Sequence, residues 1–300
     1  MSVACNLRNL KGLFVSGCQM MEKIFNTEGN NEYKAFVFPK LEEIHFSEMN
    51  MLIDIWQVEV SIDSFCSLIS VHIEQCEKLD KIFPSHIEGW YANLENLKVV
   101  DCGSVEVIFV IKDFQQRNVY GAIDTNLQSI FLKELPKLKQ VWSIDPRGIL
   151  NFKKLQSIDV SFCNKLRNVF PASVAKDVQK IEYISITNCE KMMEIVARED
   201  GLEANNEPLV FHELTNMKLY YLPNMEHFCK GRHTIWCPKL SKLTMACCRK
   251  LEIFQRERNE RTNEEVANFS TSKKALDEPL QLTALVEMPD LVRAANEDAR

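Results

Sequence analysis

The chain has 300 residues, of which 46% are hydrophobic and 26% charged, and a formal charge of −6 at pH 7. That balance belongs to a globular protein with a sizeable core, and the mild charge with scattered basic residues argues against nucleic acid as a partner. No apolar run approaches the roughly 18 residues of a membrane span, and the opening Met1-Ser2-Val3-Ala4-Cys5-Asn6 has no basic region followed by an apolar one, so neither insertion nor secretion is expected.

One pattern returns along the chain. Its first apolar positions are Leu10, Leu41, Leu68, Leu94, Leu127, Leu155, Ile181, Leu214 and Leu240, spaced 26 to 33 residues apart. The third unit, Leu68 to Phe83, shows it as L-x-x-L-x-V-x-x-C-x-x-L-x-x-I-F, with any aliphatic residue at the apolar positions. In each unit an apolar pair separated by one residue, such as Val71 and Ile73 or Ile158 and Val160, predicts a short strand with both side chains inward. A later apolar group, such as Leu79, Ile82 and Phe83, then turns the chain back over the core. One such unit cannot bury its apolar side alone, so the units must stack. The expected fold is a solenoid of about nine coils, in the α/β class, with short parallel strands on a concave face and irregular, 3-10 or short helical segments on the convex side.

Eight residues into each unit stands a second column: Cys18, Met49, Cys76, Cys102, Leu135, Cys163, Cys189, Leu222 and Cys248. Cysteine gives way in every third unit, and unit starts three apart differ by 85 to 87 residues, so the array reads as a repeated triplet. Each unit before a non-cysteine unit carries a polar excursion, at 26–32, 112–118 and 198–207, and insertions at one phase should project on one side. The solenoid is expected to span 1–255. Beyond it, 256–300 holds 17 charged residues and no cysteine, which suits a charged cap or a loosely ordered tail.

The repeat form, with the phrases Phe38-Pro39-Lys40-Leu41-Glu42, Leu135-Pro136-Lys137-Leu138, Asn164-Lys165-Leu166-Arg167-Asn168-Val169-Phe170-Pro171 and Cys237-Pro238-Lys239-Leu240, resembles the leucine-rich-repeat region of plant nucleotide-binding disease-resistance proteins, most of all their coiled-coil subclass. The resemblance covers about residues 5–255. It implies a leucine-rich-repeat horseshoe that works in the cytoplasm, with the nucleus also open, as the sensing part of an immune receptor. Its partners would be a pathogen effector, a guarded host protein, or the receptor's own nucleotide-binding domain. This sequence contains no G-x-x-x-x-G-K-[ST] phosphate loop, so the nucleotide switch itself is not expected of it.

The cysteine column invites a chemical reading, yet it lacks close C-x-x-C pairs and histidines at ligand spacing. A small inward thiol at the end of a strand, donating weakly to backbone carbonyls, fits the repeat better. Cys247, beside Cys248, falls on the outward phase and could be reactive. The six histidines show no catalytic or metal-binding spacing. Neither catalytic residues, nor a metal, nor a cofactor is expected. The candidate binding residues alternate with the inward strand positions, so their side chains are forced to solvent. The central column gives Phe14, His45, His72, Lys98, Phe131, Asp159 and Lys218, positions two residues on add Val100, Lys133 and Tyr220, and Tyr183 lies two residues before its central member; their mix of rings and both charge signs suits protein recognition. A substrate adaptor of a ubiquitin ligase is the alternative reading, because such adaptors also carry cytosolic repeats of this kind.

Overall fold

A computed structural model describes residues 7–25, 38–56, 65–83, 92–111, 122–197, 209–229 and 235–251, together with the backbone of 255–258 and 265–268. Each repeat contributes one five-residue strand: Gly12–Ser16, Glu43–Ser47, Ser70–Glu74, Asn96–Val100, Ser129–Lys133, Ser157–Ser161, Tyr183–Thr187, Asn216–Tyr220 and Lys242–Ala246. All nine join in one sheet in chain order, and every neighbouring pair is parallel. The register sets each residue beside its repeat equivalent, as in Val71 opposite Ile44 and Leu97. Most of the central strands bury the two alternating apolar positions, so the period of two seen in the sequence becomes a core face and an open face.

Each strand ends in the same way. The residue after it takes a left-handed conformation at Gly17, Glu48, Gln75, Asp101, Glu134, Phe162, Asn188, Tyr221 and Cys247. In the first eight of these its N–H donates to the strand-end carbonyl of the next coil, as from Gln75 to Val100 at 3.0 Å and from Phe162 to Thr187 at 3.1 Å. The column residue that follows then, in every coil but that of Cys102, accepts at its carbonyl the N–H three residues on, as from Leu79 to Cys76 and from Leu166 to Cys163. The strained residue thus keeps the ladder intact while the chain leaves the sheet. Only Gly17 among the nine is glycine, the residue that takes this conformation without steric cost.

The thiols of the column donate to the carbonyl two residues back: Cys76 to Glu74, Cys102 to Val100, Cys163 to Ser161, Cys189 to Thr187 and Cys248 to Ala246, all at 3.3 to 3.4 Å. A side chain of this size reaches that carbonyl without leaving the core. Met49, Leu135 and Leu222 fill the same place as plain apolar residues. In two pairs of neighbouring coils the thiols interact, Cys76 with Cys102 and Cys163 with Cys189. The neighbouring sulfur and burial push the Cys102 and Cys163 thiols well above the ordinary thiol range.

At the last position of the repeat the rings form a spine. Phe83 stacks on Phe109 at 5.8 Å between centroids, Phe109 on Trp142 at 5.8 Å, and Trp142 lies 6.0 Å from Phe170. Phe25 and Trp56 make the same contact at 5.3 Å. At Val196 and Cys229 the position is still buried but no longer aromatic.

The convex side is largely irregular with one short helix, as expected, and it also carries short strands that the repeat pattern did not announce. The α-helix among the described residues is Ala172–Asp177, whose first turn is held by the Asp145 carboxylate accepting from the Ser173 N–H and hydroxyl. Elsewhere the apolar ends of consecutive repeats pair as short parallel strands: Lys23–Phe25 with Asp54–Trp56, Val107–Phe109 with Gln140–Trp142, and Glu194–Val196 with His227–Cys229. Equivalent segments lie side by side in a stack, so their backbone groups are satisfied by the adjacent coil, and no helix is needed. These pairs recur once per triplet, at the coils that flank each polar excursion. Two more, Ile123–Asp124 with Leu150–Asn151 and Leu209–Val210 with Ile235–Trp236, follow the second and third excursions. The excursions themselves, 26–32, 112–118 and 198–207, lie outside the described residues. So does most of 256–300, where only Gln255–Arg258 and Glu265–Asn268 are described, paired antiparallel. Among the described residues no helix is long and apolar enough to cross a membrane.

Candidate protein-recognition face

The open face of the long sheet carries one central residue per strand, and the parallel register sets these in a row: Phe14, His45, His72, Lys98, Phe131, Asp159, Ser185, Lys218 and Thr244. They are not separate solvated side chains. Phe14 meets His45 edge-on at 6.2 Å, and His45 stacks on His72 at 4.1 Å. The Lys98 ammonium lies 5.9 Å from the centre of the Phe131 ring. Asp159 is hydrogen-bonded to Ser185 and feels the charge of Lys218. Cross-strand pairs of this kind hold each other in place, so the row is an ordered surface of two rings, two imidazoles and three charges.

Exposure is uneven along it. Phe14 is 64% exposed, Lys98, Lys218 and Tyr220 are open, and His45, His72, Phe131, Lys133, Asp159 and Tyr183 are half-buried. Val100 differs from the sequence reading: at 8% exposure it offers almost nothing to a partner. Its short side chain stands in register between the longer Glu74 and Lys133. Ser185, only 2% exposed, sits likewise between Asp159 and Lys218 and acts as a donor to the carboxylate instead of as a contact. Lys133 is engaged by Glu134 at 3.2 Å, with both side chains partly exposed.

Burial sets the electrostatics of the row. It pushes the Asp159 carboxyl above its ordinary value, against the opposing Ser185 hydrogen bond and Lys218 charge. It lowers the His72 imidazole, with help from His45 and Lys98 and against Glu74, whose Oε2 lies 3.2 Å from His72 Nε2. A partly desolvated carboxylate beside an open lysine is a surface that gains from a complementary charged partner.

Two residues not singled out by alternation stand at the edge of this face. Phe162 and Tyr221 occupy the left-handed position after their strands, with φ of 55° and 50°, and their side chains are 46% and 40% exposed. A bulky aromatic at positive φ is uncommon, and such strain gathers at functional sites. The signal was in the sequence: an aromatic just before a column cysteine or leucine. It was hidden because nothing local announces the left-handed turn. Cys247, at the same position in the last coil, is half-buried beside Cys248.

Comparison with known proteins gives two findings. The family profile described as plant disease resistance protein RPS2-like leucine-rich repeats matches residues 40–190, half of the chain. An Arabidopsis thaliana protein provisionally named a disease resistance protein, At4g19050, is 24% identical over 146 aligned positions, which cover 44% of this chain. The match spans only 12% of that relative's own length.

Proposed function

The chain belongs to the RPS2-like leucine-rich-repeat family of plant disease-resistance proteins, and from that premise we propose that it is the protein-recognition module of an intracellular immune receptor. Its ligand is a pathogen effector or a host protein that an effector modifies, and the receptor's nucleotide-binding domain is a second, internal partner. The module comprises the solenoid over 1–255, with the charged segment 256–300 following it. Its role is to bind, not to catalyse.

The observation that carries this reading is the ordered row on the long sheet. Leucine-rich repeats leave such a face open, and here it holds exposed rings and both signs of charge, the composition from which binding hot spots are built. The pairs Lys98 with Phe131 and Asp159 with Lys218 put the charges at fixed places, which favours one partner over others.

The test is a comparative pull-down from infected plant tissue with the wild-type chain and with the triple variant Phe131→Ala, Lys133→Ala, Asp159→Ala. A partner retained by the wild type and lost from the variant supports the open face as the recognition site. Loss of central anchors of this type costs about 2 kcal/mol or more each. An identical partner set for both proteins would place recognition elsewhere.

A further inference from the structure

His45 and His72 occupy the same position on adjacent strands, so the parallel register alone brings their rings together. The rings lie 4.1 Å apart between centroids and 17° from parallel. Glu74 follows His72 by two residues and therefore shares its face, with Oε2 3.2 Å from His72 Nε2. One ligand atom from each of the three, two imidazole nitrogens and a carboxylate oxygen, lie within 4.8 Å of one another. His45 Nε2 is shielded from solvent and has no hydrogen-bond partner. Buried polar atoms are otherwise nearly always satisfied, so this nitrogen calls for an explanation.

We propose that His45, His72 and Glu74 form a site for a divalent transition-metal ion, zinc or copper, on the open face of the long sheet. Two imidazoles and one carboxylate are the donor set such borderline ions take, and three protein ligands leave a position for water or for a side chain of a bound protein. The unpaired His45 nitrogen gains a partner in the ion. Phe14 walls one side edge-on to His45. On the other, the cation nearest in register, Lys98, is drawn over the Phe131 ring.

The rings lie nearly parallel and the three donor atoms within 4.8 Å of one another, so a shared ion draws the donors closer together. A tetrahedral ion with bonds of about 2.0 to 2.1 Å sets its donors about 3.3 Å apart, within reach of rotation about the ring torsions of two half-buried side chains. The site differs from the cysteine column, whose thiols sit in the core and donate to carbonyls.

Cobalt(II) alone, titrated into the full chain, reports both stoichiometry and donor type. The expected result is one ion per chain, with visible d–d bands of a four- or five-coordinate ion and no near-ultraviolet thiolate charge-transfer band. Both His45→Gln and Glu74→Gln should weaken binding at least tenfold, with unchanged far-ultraviolet circular dichroism, while Cys66→Ser leaves it unaltered. Copper(II) bound to the wild type should show electron paramagnetic hyperfine structure from two imidazole nitrogens, a reading that does not depend on any variant folding. A thiolate band, equal affinity in the glutamine variants, copper spectra without two nitrogens, or no stoichiometric binding would each overturn the site.

Discussion

Replacing Phe109 by alanine tests whether the ring spine couples the coils. Phe109 is fully buried, stacks on Phe83 and Trp142 at 5.8 Å each, and lies 6.1 Å from Phe152. Deleting such a ring from a core costs about 3–5 kcal/mol, and each lost aromatic pair is worth about 0.5–1.5 kcal/mol, which puts this site near 5 kcal/mol. Whole domains are stable by only about 5–15 kcal/mol, so the loss is a large share. In a solenoid stability is a sum of intrinsic coil terms and contacts between neighbours, and the alanine removes the ring that links those of the third and fifth coils. Urea unfolding followed by far-ultraviolet circular dichroism should show the midpoint falling by about 2 M at a slope of 2–3 kcal/mol per M. Phe14→Ala, at a position 64% exposed and outside the core, should shift the same curve by less than about 0.5 kcal/mol. If Phe109→Ala behaved like Phe14→Ala, the spine would not be a coupling element and the account of stacking given above would fail.

Asp159 predicts a pH dependence. Its carboxyl is raised by burial, so the unfolded chain releases this proton first and the residue's contribution to stability falls as pH rises from about 3.9 toward the raised value, remaining reduced above it. Asp159→Asn, which can still accept from Ser185, should therefore be equal to or slightly more stable than the wild type at pH 7, by less than about 1 kcal/mol given solvent screening. A variant clearly less stable in thermal melts at pH 7 would contradict this sign. The cysteine column predicts selective alkylation: brief iodoacetamide treatment of the native protein, read peptide by peptide by mass spectrometry, should modify exposed Cys66 ahead of the buried Cys76, Cys102, Cys163, Cys189 and Cys237, the last held up to about 12 by burial. Column thiols labelling as fast as Cys66 would show that they are open to solvent.

Much of this architecture could be read directly because the repeat is periodic. The inward pairs such as Ile158 and Val160 marked the strands, and the cysteines at the strand ends made the carbonyl contacts that their size and position suggested. The spine was visible as the final aromatic of each unit from Phe25 to Phe170. The left-handed turns were not visible, since eight of the nine use residues other than glycine and, in the first eight coils, the conformation goes with a hydrogen bond to the next coil that only stacking supplies. The convex strands escaped for a related reason. Three residues such as Val107–Phe109 have no strand signature until the equivalent Gln140–Trp142 lies against them.

The same division runs through the open face of the long sheet. Sequence alone placed Phe14, His45, His72, Lys98, Phe131, Asp159 and Lys218 in one column, because alternation within a strand and a fixed register between strands depend only on spacing. It could not show that Val100 sinks between Glu74 and Lys133, that Asp159 rests on Ser185, or that His45, His72 and Glu74 converge. His45 and His72 stand a full repeat apart, a separation that matches no local ligand motif. Stacking the coils removes that distance, and burial then decides which of the aligned groups stay solvated, which pair with each other, and which are left with an unmet donor or lone pair. Periodicity determined the fold and the rows; only the three-dimensional packing of neighbouring rows determined their chemistry.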